Sequence, residues 1–200
     1  GQIRRFLKGT GNSSETIWFD TWISGYHFVF LGGEAAGLHA DLSNAQLAWL
    51  EETLAKDRVE GRPTFLFLHQ GLMDTVAGTF QYQNWHGVKQ SAQLRRILRQ
   101  YPEVVLFSGH SHWTMESAHT VKPADSSLPS VVSTASCAYL WDDSCIATNV
   151  GIVGSEGYYI YLYENCLIVR GRSFDRGEWI GSAQFILPLP TSGGTETEST

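Results

Sequence analysis

Three short, unbroken apolar runs, at 26–31, 65–68 and 104–107, stand out along the chain and predict buried strands. Between them lie two stretches of helical period. The first predicts a helix over 44–56: Leu47, Leu50 and Leu54 form one stripe, while Glu51, Glu52 and Lys56 face water. Ser43 is its expected N-cap, and Gln46, three residues on, completes a capping box. The second carries Leu94, Ile97, Leu98 and Tyr101 on one stripe, with Ser91 as the expected cap and Pro102 as the stop. Residues 58–62 read as a turn, and Pro63 opens the strand that ends at His69. A strand at 16–19 pairs with the run at 26–31 through a turn at Ser24-Gly25. Ile3, Phe6 and Leu7 share one face of a short helix near the start.

After Trp113 the period changes. Residues 115–121, 130–134, 157–163, 166–173 and 184–187 alternate or are rich in β-formers, and Glu164-Asn165 makes a hairpin turn. These predict a second, mainly antiparallel sheet packed on the first, with an irregular connection over 138–155. The acidic pair in Trp141-Asp142-Asp143 reads as a solvated turn rather than a ligand set. The last ten residues, 191–200, hold no apolar side chain and read as a linker or tail. The expected organisation is an α+β domain over 1–190 followed by that tail.

Composition narrows the picture slightly. A formal charge of −6 gives no footprint for nucleic acid, and Arg95, Arg96 and Arg99 form one solvated helix face. No apolar run approaches the length of a membrane span. Of the three cysteines, Cys137 and Cys145 are close enough in sequence to pair in an oxidising compartment, which would leave Cys166 over. The Ser/Thr/Glu/Gly tail favours a modular protein.

The chemistry sits where two of the apolar runs stop. The run at 65–68 leads directly into His69, and the run at 104–107 leads through Ser108 into Gly109-His110-Ser111-His112. Open α/β sheets bind ligands beyond the C-terminal ends of their strands. Alternation along an extended backbone would send His110 and His112 to the same side, towards one metal or two adjacent ones, with Gly109 easing the turn. The stretch 70–90 lacks clear periodicity and carries Tyr82, Trp85 and His86. Trp85 either stacks on a substrate ring or plugs the loop onto the core, and His86 is a candidate substrate contact rather than a metal ligand. His27 reads as a satisfied strand histidine and His39 as a solvated loop residue.

His69 followed by Gly-His-Ser-His one αβ unit later resembles the calcineurin-like metallophosphoesterases. Tyr101-Pro102-Glu103-Val104-Val105 and the helix before it are similar too, and the resemblance spans about residues 16–187. It implies the C-terminal part of a four-layer α/β/β/α sandwich that hydrolyses phosphoric esters at a dinuclear metal centre. It also implies His69 and His110 as ligands of one divalent ion and His112 as a ligand of the other, the ions being Zn, Mn, Fe or Ni. The family's Asp-x-His, Gly-Asp-x-x-Asp and Gly-Asn-His-Asp/Glu blocks have no counterpart here, since Gly11-Asn12 continues with Ser13. The expected catalytic groups would therefore come from a missing N-terminal half or a companion chain. A fragment of this kind should be nearly inactive alone and prone to self-association. A non-catalytic binding module that keeps the fold is the alternative, and a His-only zinc module a third. Nucleotides, cyclic nucleotides, phospholipid head groups and phosphoproteins all remain open as substrates, and the resemblance to modular phosphoesterases implies an extracytoplasmic or secreted location.

Overall fold

The computed structural model describes residues 16–56, 58–59, 61–83 and 86–190. The expected helix near the start, Trp85 and the 191–200 tail lie outside the described residues. The chain is a mixed α+β structure with two sheets and few helices.

The first sheet has six strands. An antiparallel hairpin, β1 (Phe19–Ile23) and β2 (Tyr26–Phe30), turns at Ser24 and Gly25, both left-handed. Next to it, β3 (Thr64–Leu68) and β4 (Val104–Ser108) run parallel to β2. The short β5 (Val121–Lys122) and β6 (Ser130–Ser133) complete the order β1-β2-β3-β4-β6-β5. Helices α1 (Asn44–Lys56) and α2 (Ser91–Leu98) are the crossovers that lead into β3 and β4. A third helix, α3 (Asp143–Thr148), lies in the connection expected to be irregular, with Asp142 accepting from the Ser144 and Cys145 amides as its N-cap.

Strand alternation sorts the core into two layers. Val104, Leu106, Leu66, Leu68 and Val29 join Leu47, Leu50, Leu94 and Leu98 of the helices. Their neighbours Val105, Phe107, Phe65 and Val132 instead meet Leu167, Val169 and Leu187 of the second sheet. That sheet is an antiparallel meander of β7 (Glu156–Leu162), β8 (Cys166–Ser173) and β9 (Glu178–Pro188). Its inward side is buried along β8 and β9, at Leu167, Val169, Ile180, Ala183 and Leu187, whereas Ile160 of β7, Tyr159, Tyr161 and Ile186 are exposed.

Four expectations about elements are corrected. Residues 130–134 were expected in the second sheet, but β6 lies in the first and pairs parallel with β4. It is buried at every position, with Val131 and Val132 feeding opposite cores, as suits a parallel strand covered on both faces. Residues 115–120 do not form a strand: Met115 plugs a small cluster with Ala135, Leu140 and Ala183 instead. Only half of the capping box forms. Ser43 Oγ accepts from the Gln46 amide, but the buried Gln46 side chain clamps Gly32 and Glu34. Finally, Ser91 is the first helical residue rather than the cap. Its hydroxyl donates to the Val88 carbonyl and accepts from the Met73 amide.

The strands carrying the histidines are not edges: β3 lies between β2 and β4, and β4 between β3 and β6. The inner face near β2 is less covered. There Tyr26, Phe28, Phe67 and Phe107 line an apolar groove of about 680 Å³ between the sheets, which runs towards β7. The three cysteines are free thiols. Among the described residues no helix is long and apolar enough to cross a membrane.

Candidate metal centre

Register brings the first two histidines together. In the parallel β3–β4 pair, Leu68 lies opposite Ser108, so both strands end at one level. The ladder continues one step further, because the Gly109 amide donates to the His69 carbonyl at 3.0 Å. Nδ1 of His110 then lies 3.2 Å from Nε2 of His69, with ring centroids 5.0 Å apart and the rings edge to face.

The turn that presents His110 and His112 differs from the extended form expected. Both residues are left-handed, at φ +67° and +58°, a conformation that costs a non-glycine residue free energy and recurs at functional sites. Between them the Ser111 amide donates to the Gly109 carbonyl at 2.7 Å, and Ser111 itself is buried. Gly109 is not where room is needed: a methyl group there would make only ordinary contacts with Thr134 and His69. The close approach is at Gly78 (φ +81°) in the loop after β3, where a Cβ would come within 2.2 Å of the Ser111 Cβ. That loop thus presses on the His-Ser-His turn from behind. It is well tied itself, since the Thr79 and Gln83 side chains cap the Thr75, Val76 and Gly78 amides. On the other side the His112 carbonyl accepts from the Trp141 amide, and the His112 ring packs on Tyr139 at 4.5 Å.

His39 and His86 complete the cluster. His39, expected to be solvated, places Nε2 at 3.1 Å from Nδ1 of His86. The His86 ring centroid in turn lies 6.5 Å from that of His110. Four of the other six histidines are therefore within electrostatic reach of His110. Burial, followed by the crowding of His69, His86, His112 and His39, pushes His110 down to about 4. Burial lowers His69. Burial and then His69 lower His112, against a backbone hydrogen bond at Tyr139. At neutral pH His110 is a neutral imidazole with a lone pair to give.

This donor set suits the imidazole part of a metal centre. Two imidazole nitrogens bound to one tetrahedral ion at about 2.0–2.1 Å each are about 3.3 Å apart, close to the His69–His110 spacing. Neither a carboxylate nor a third imidazole joins the pair closely: among the described residues no group of three or more His, Cys, Asp and Glu is gathered tightly enough to hold an ion, so His112 stands apart from His69 and His110. A cavity of about 280 Å³ opens beside His69, walled by Phe30, Phe67 and Phe107 with Ser108, Gly109 and Thr134. The acidic pair forms no ligand set. Asp142 caps α3, and Asp143 accepts from the Gln83 side chain. His27 Nε2 donates to the Asp20 carboxylate at 2.9 Å, while its Nδ1 has no hydrogen-bond partner among the described residues.

The role of His39 was not legible in the sequence, because it depends on a single parallel bridge, Ala40 to Val88, between loops 48 residues apart. Searches against protein-family models and curated proteins find no match to the chain.

Proposed function

We propose that this chain is the C-terminal part of a four-layer α/β/β/α metallophosphoesterase, with His69 and His110 on one divalent ion and His112 on its neighbour. The observation that carries this reading is the meeting of His69 and His110, 3.2 Å apart, at the level ends of two parallel strands. Support also comes from the neutral state of His110, from the left-handed turn that presents the pair, and from the aromatic-walled cavity beside it.

When bound, two borderline divalent ions would neutralise phosphoryl charge and supply a hydroxide nucleophile near neutral pH. The chain's own part is narrower. His69, His110 and His112 provide neutral nitrogen donors, and the ladder bond from Gly109 to His69 fixes their spacing. Phe67 and Phe107 form an apolar wall that limits water beside His69, while Ser108 and Thr134 leave polar oxygens on the same wall. Three neutral imidazoles cannot balance two dications, so the bridging carboxylate would come from a segment or companion chain outside the described residues.

The test combines binding and turnover. The 200-residue chain is titrated with Zn²⁺ or Mn²⁺ by calorimetry and assayed on p-nitrophenyl phosphate and its bis ester. Binding that His110→Ala weakens at least about tenfold is expected, with hydrolysis near background until a segment supplying carboxylates is joined. Vigorous metal-dependent hydrolysis by the chain alone would show that its carboxylates are already present. Metal uptake indifferent to His110→Ala would remove the centre altogether. A carboxylate-bearing longer chain that binds ions but turns over neither ester would favour the non-catalytic binding module.

A further inference from the structure

We propose that His39 and His86 form a separate seat for one borderline divalent cation, such as Zn²⁺, Co²⁺ or Ni²⁺, at the rim of the cleft. The two rings meet edge to face, at 76° and 4.7 Å between centroids, with Nδ1 of His86 and Nε2 of His39 3.1 Å apart. That separation falls between the roughly 2.9 Å and 3.3 Å expected for cis ligands of an octahedral or tetrahedral ion at about 2.0–2.1 Å.

The backbone under the pair is built rather than incidental. The Ala40 amide donates to the Gly87 carbonyl at 3.1 Å, and the Lys89 amide returns a bond to the Ala40 carbonyl at 3.0 Å. Asp41 accepts from Lys89 Nζ and from the Gln90 side chain, and Gln90 Oε1 accepts from the Leu42 amide. Nδ1 of His39 lies 3.3 Å from both the Gly87 carbonyl and the Gly87 amide, so it can donate to the one or accept from the other. Metal-bound imidazoles commonly donate their second nitrogen to a carbonyl, and an ion seated here would select that tautomer, with the lone pair on Nε2 facing His86. His39 is exposed and His86 half-buried, so the remaining coordination positions are open to water or to an oxygen of a bound anion. This seat needs no assumption about hydrolysis. It lies beside the His69–His110 pair, with the His86 and His110 rings 6.5 Å apart, and uses different nitrogens.

The experiment is a Co²⁺ titration of the whole 200-residue chain, followed by visible absorption and calorimetry. It compares the wild type with His86→Ala, His39→Gln and His69→Ala, each checked for folding by circular dichroism. The expected result is that His86→Ala and His39→Gln each take up one equivalent less than the wild type. His69→Ala should keep that equivalent. Should a variant fail to fold, the wild type answers alone: Zn²⁺ should protect His39 and His86 together from diethyl pyrocarbonate, as read by mass spectrometry. Unchanged uptake in His86→Ala, or unprotected His39 and His86, would overturn the proposal. So would loss of the same single equivalent in both His86→Ala and His69→Ala, since one ion would then be shared by all four rings.

Discussion

The two imidazole pairs are alike in spacing and unlike in support. His69 and His110 stand at the ends of buried parallel strands whose register is set along five residue pairs. His39 and His86 stand on surface loops that one isolated bridge, Ala40 to Val88, holds together. The first pair inherits its geometry from the core. A shift there would have to drag Leu66, Leu68 and Leu106 with it, all nearly without solvent exposure. The second pair hangs on a few backbone bonds between two loops, which touch the core only through buried Ala40 and Val88, so less packing holds its rings in place. Similar donor distances therefore do not imply similar rigidity.

The strongest way to break this contrast is at Gly78. Gly78→Val would place a branched side chain at φ +81° and against Ser111, in the space behind the His110 turn. Overpacking combined with an unfavourable backbone conformation costs about 2–4 kcal/mol. Thermal unfolding should show that loss, and metal affinity at the first pair should fall with it. A variant as stable as the parent would mean that the turn does not depend on this contact.

Acidification gives a smaller effect. In the metal-free protein His110 stays neutral down to about 4, whereas an unfolded histidine takes up its proton near 6.5. The unfolded chain thus binds more protons in this window, so stability falls as pH drops from about 6.5 to 4 and levels off below. The expected loss is on the order of 1 kcal/mol, after allowing for solvent screening. Chemical denaturation at pH 7 and pH 4.5 measures it. His110→Asn, which keeps a residue tolerant of the left-handed turn, should reduce the slope, with the remainder coming from His69 and His112, which burial also lowers. An equally steep slope in that variant would move the effect elsewhere.

The smallest change is expected from Lys89→Ala. Its ion pair with Asp41 is exposed, and such pairs contribute little to stability. The melting temperature should hold, and so should metal uptake by His39 and His86, because the bridge rather than the ion pair sets their spacing. A marked fall in that uptake would show that the charges carry the loop.

Much of the first pair could be read from the sequence because its causes are local. An apolar run running into His69, another running into Gly109-His110, and a helix before each are enough to predict level strand ends. Extended alternation and a turn at Gly109 do not account for the presentation of His110 and His112, since both histidines are left-handed and the close contact is at Gly78. Strand β6 went to the wrong sheet because β-forming residues reveal a strand but not its neighbour. Only burial on both faces distinguishes it. His39 left no trace, as nothing around it in the sequence points to a partner 47 residues away.

Chain lengths between the paired rings have a consequence of their own. His69 and His110 are 41 residues apart and His39 and His86 47, and the two intervals overlap. An ion joining either pair would close a long loop, restricting the unfolded chain more than the folded one. It would act as a cross-link whose strength follows the free metal concentration rather than the redox state of the surroundings. The three free thiols of this chain supply no such tie. Its melting temperature should then serve as a gauge of the metal around it, rising with added ion and falling with chelator.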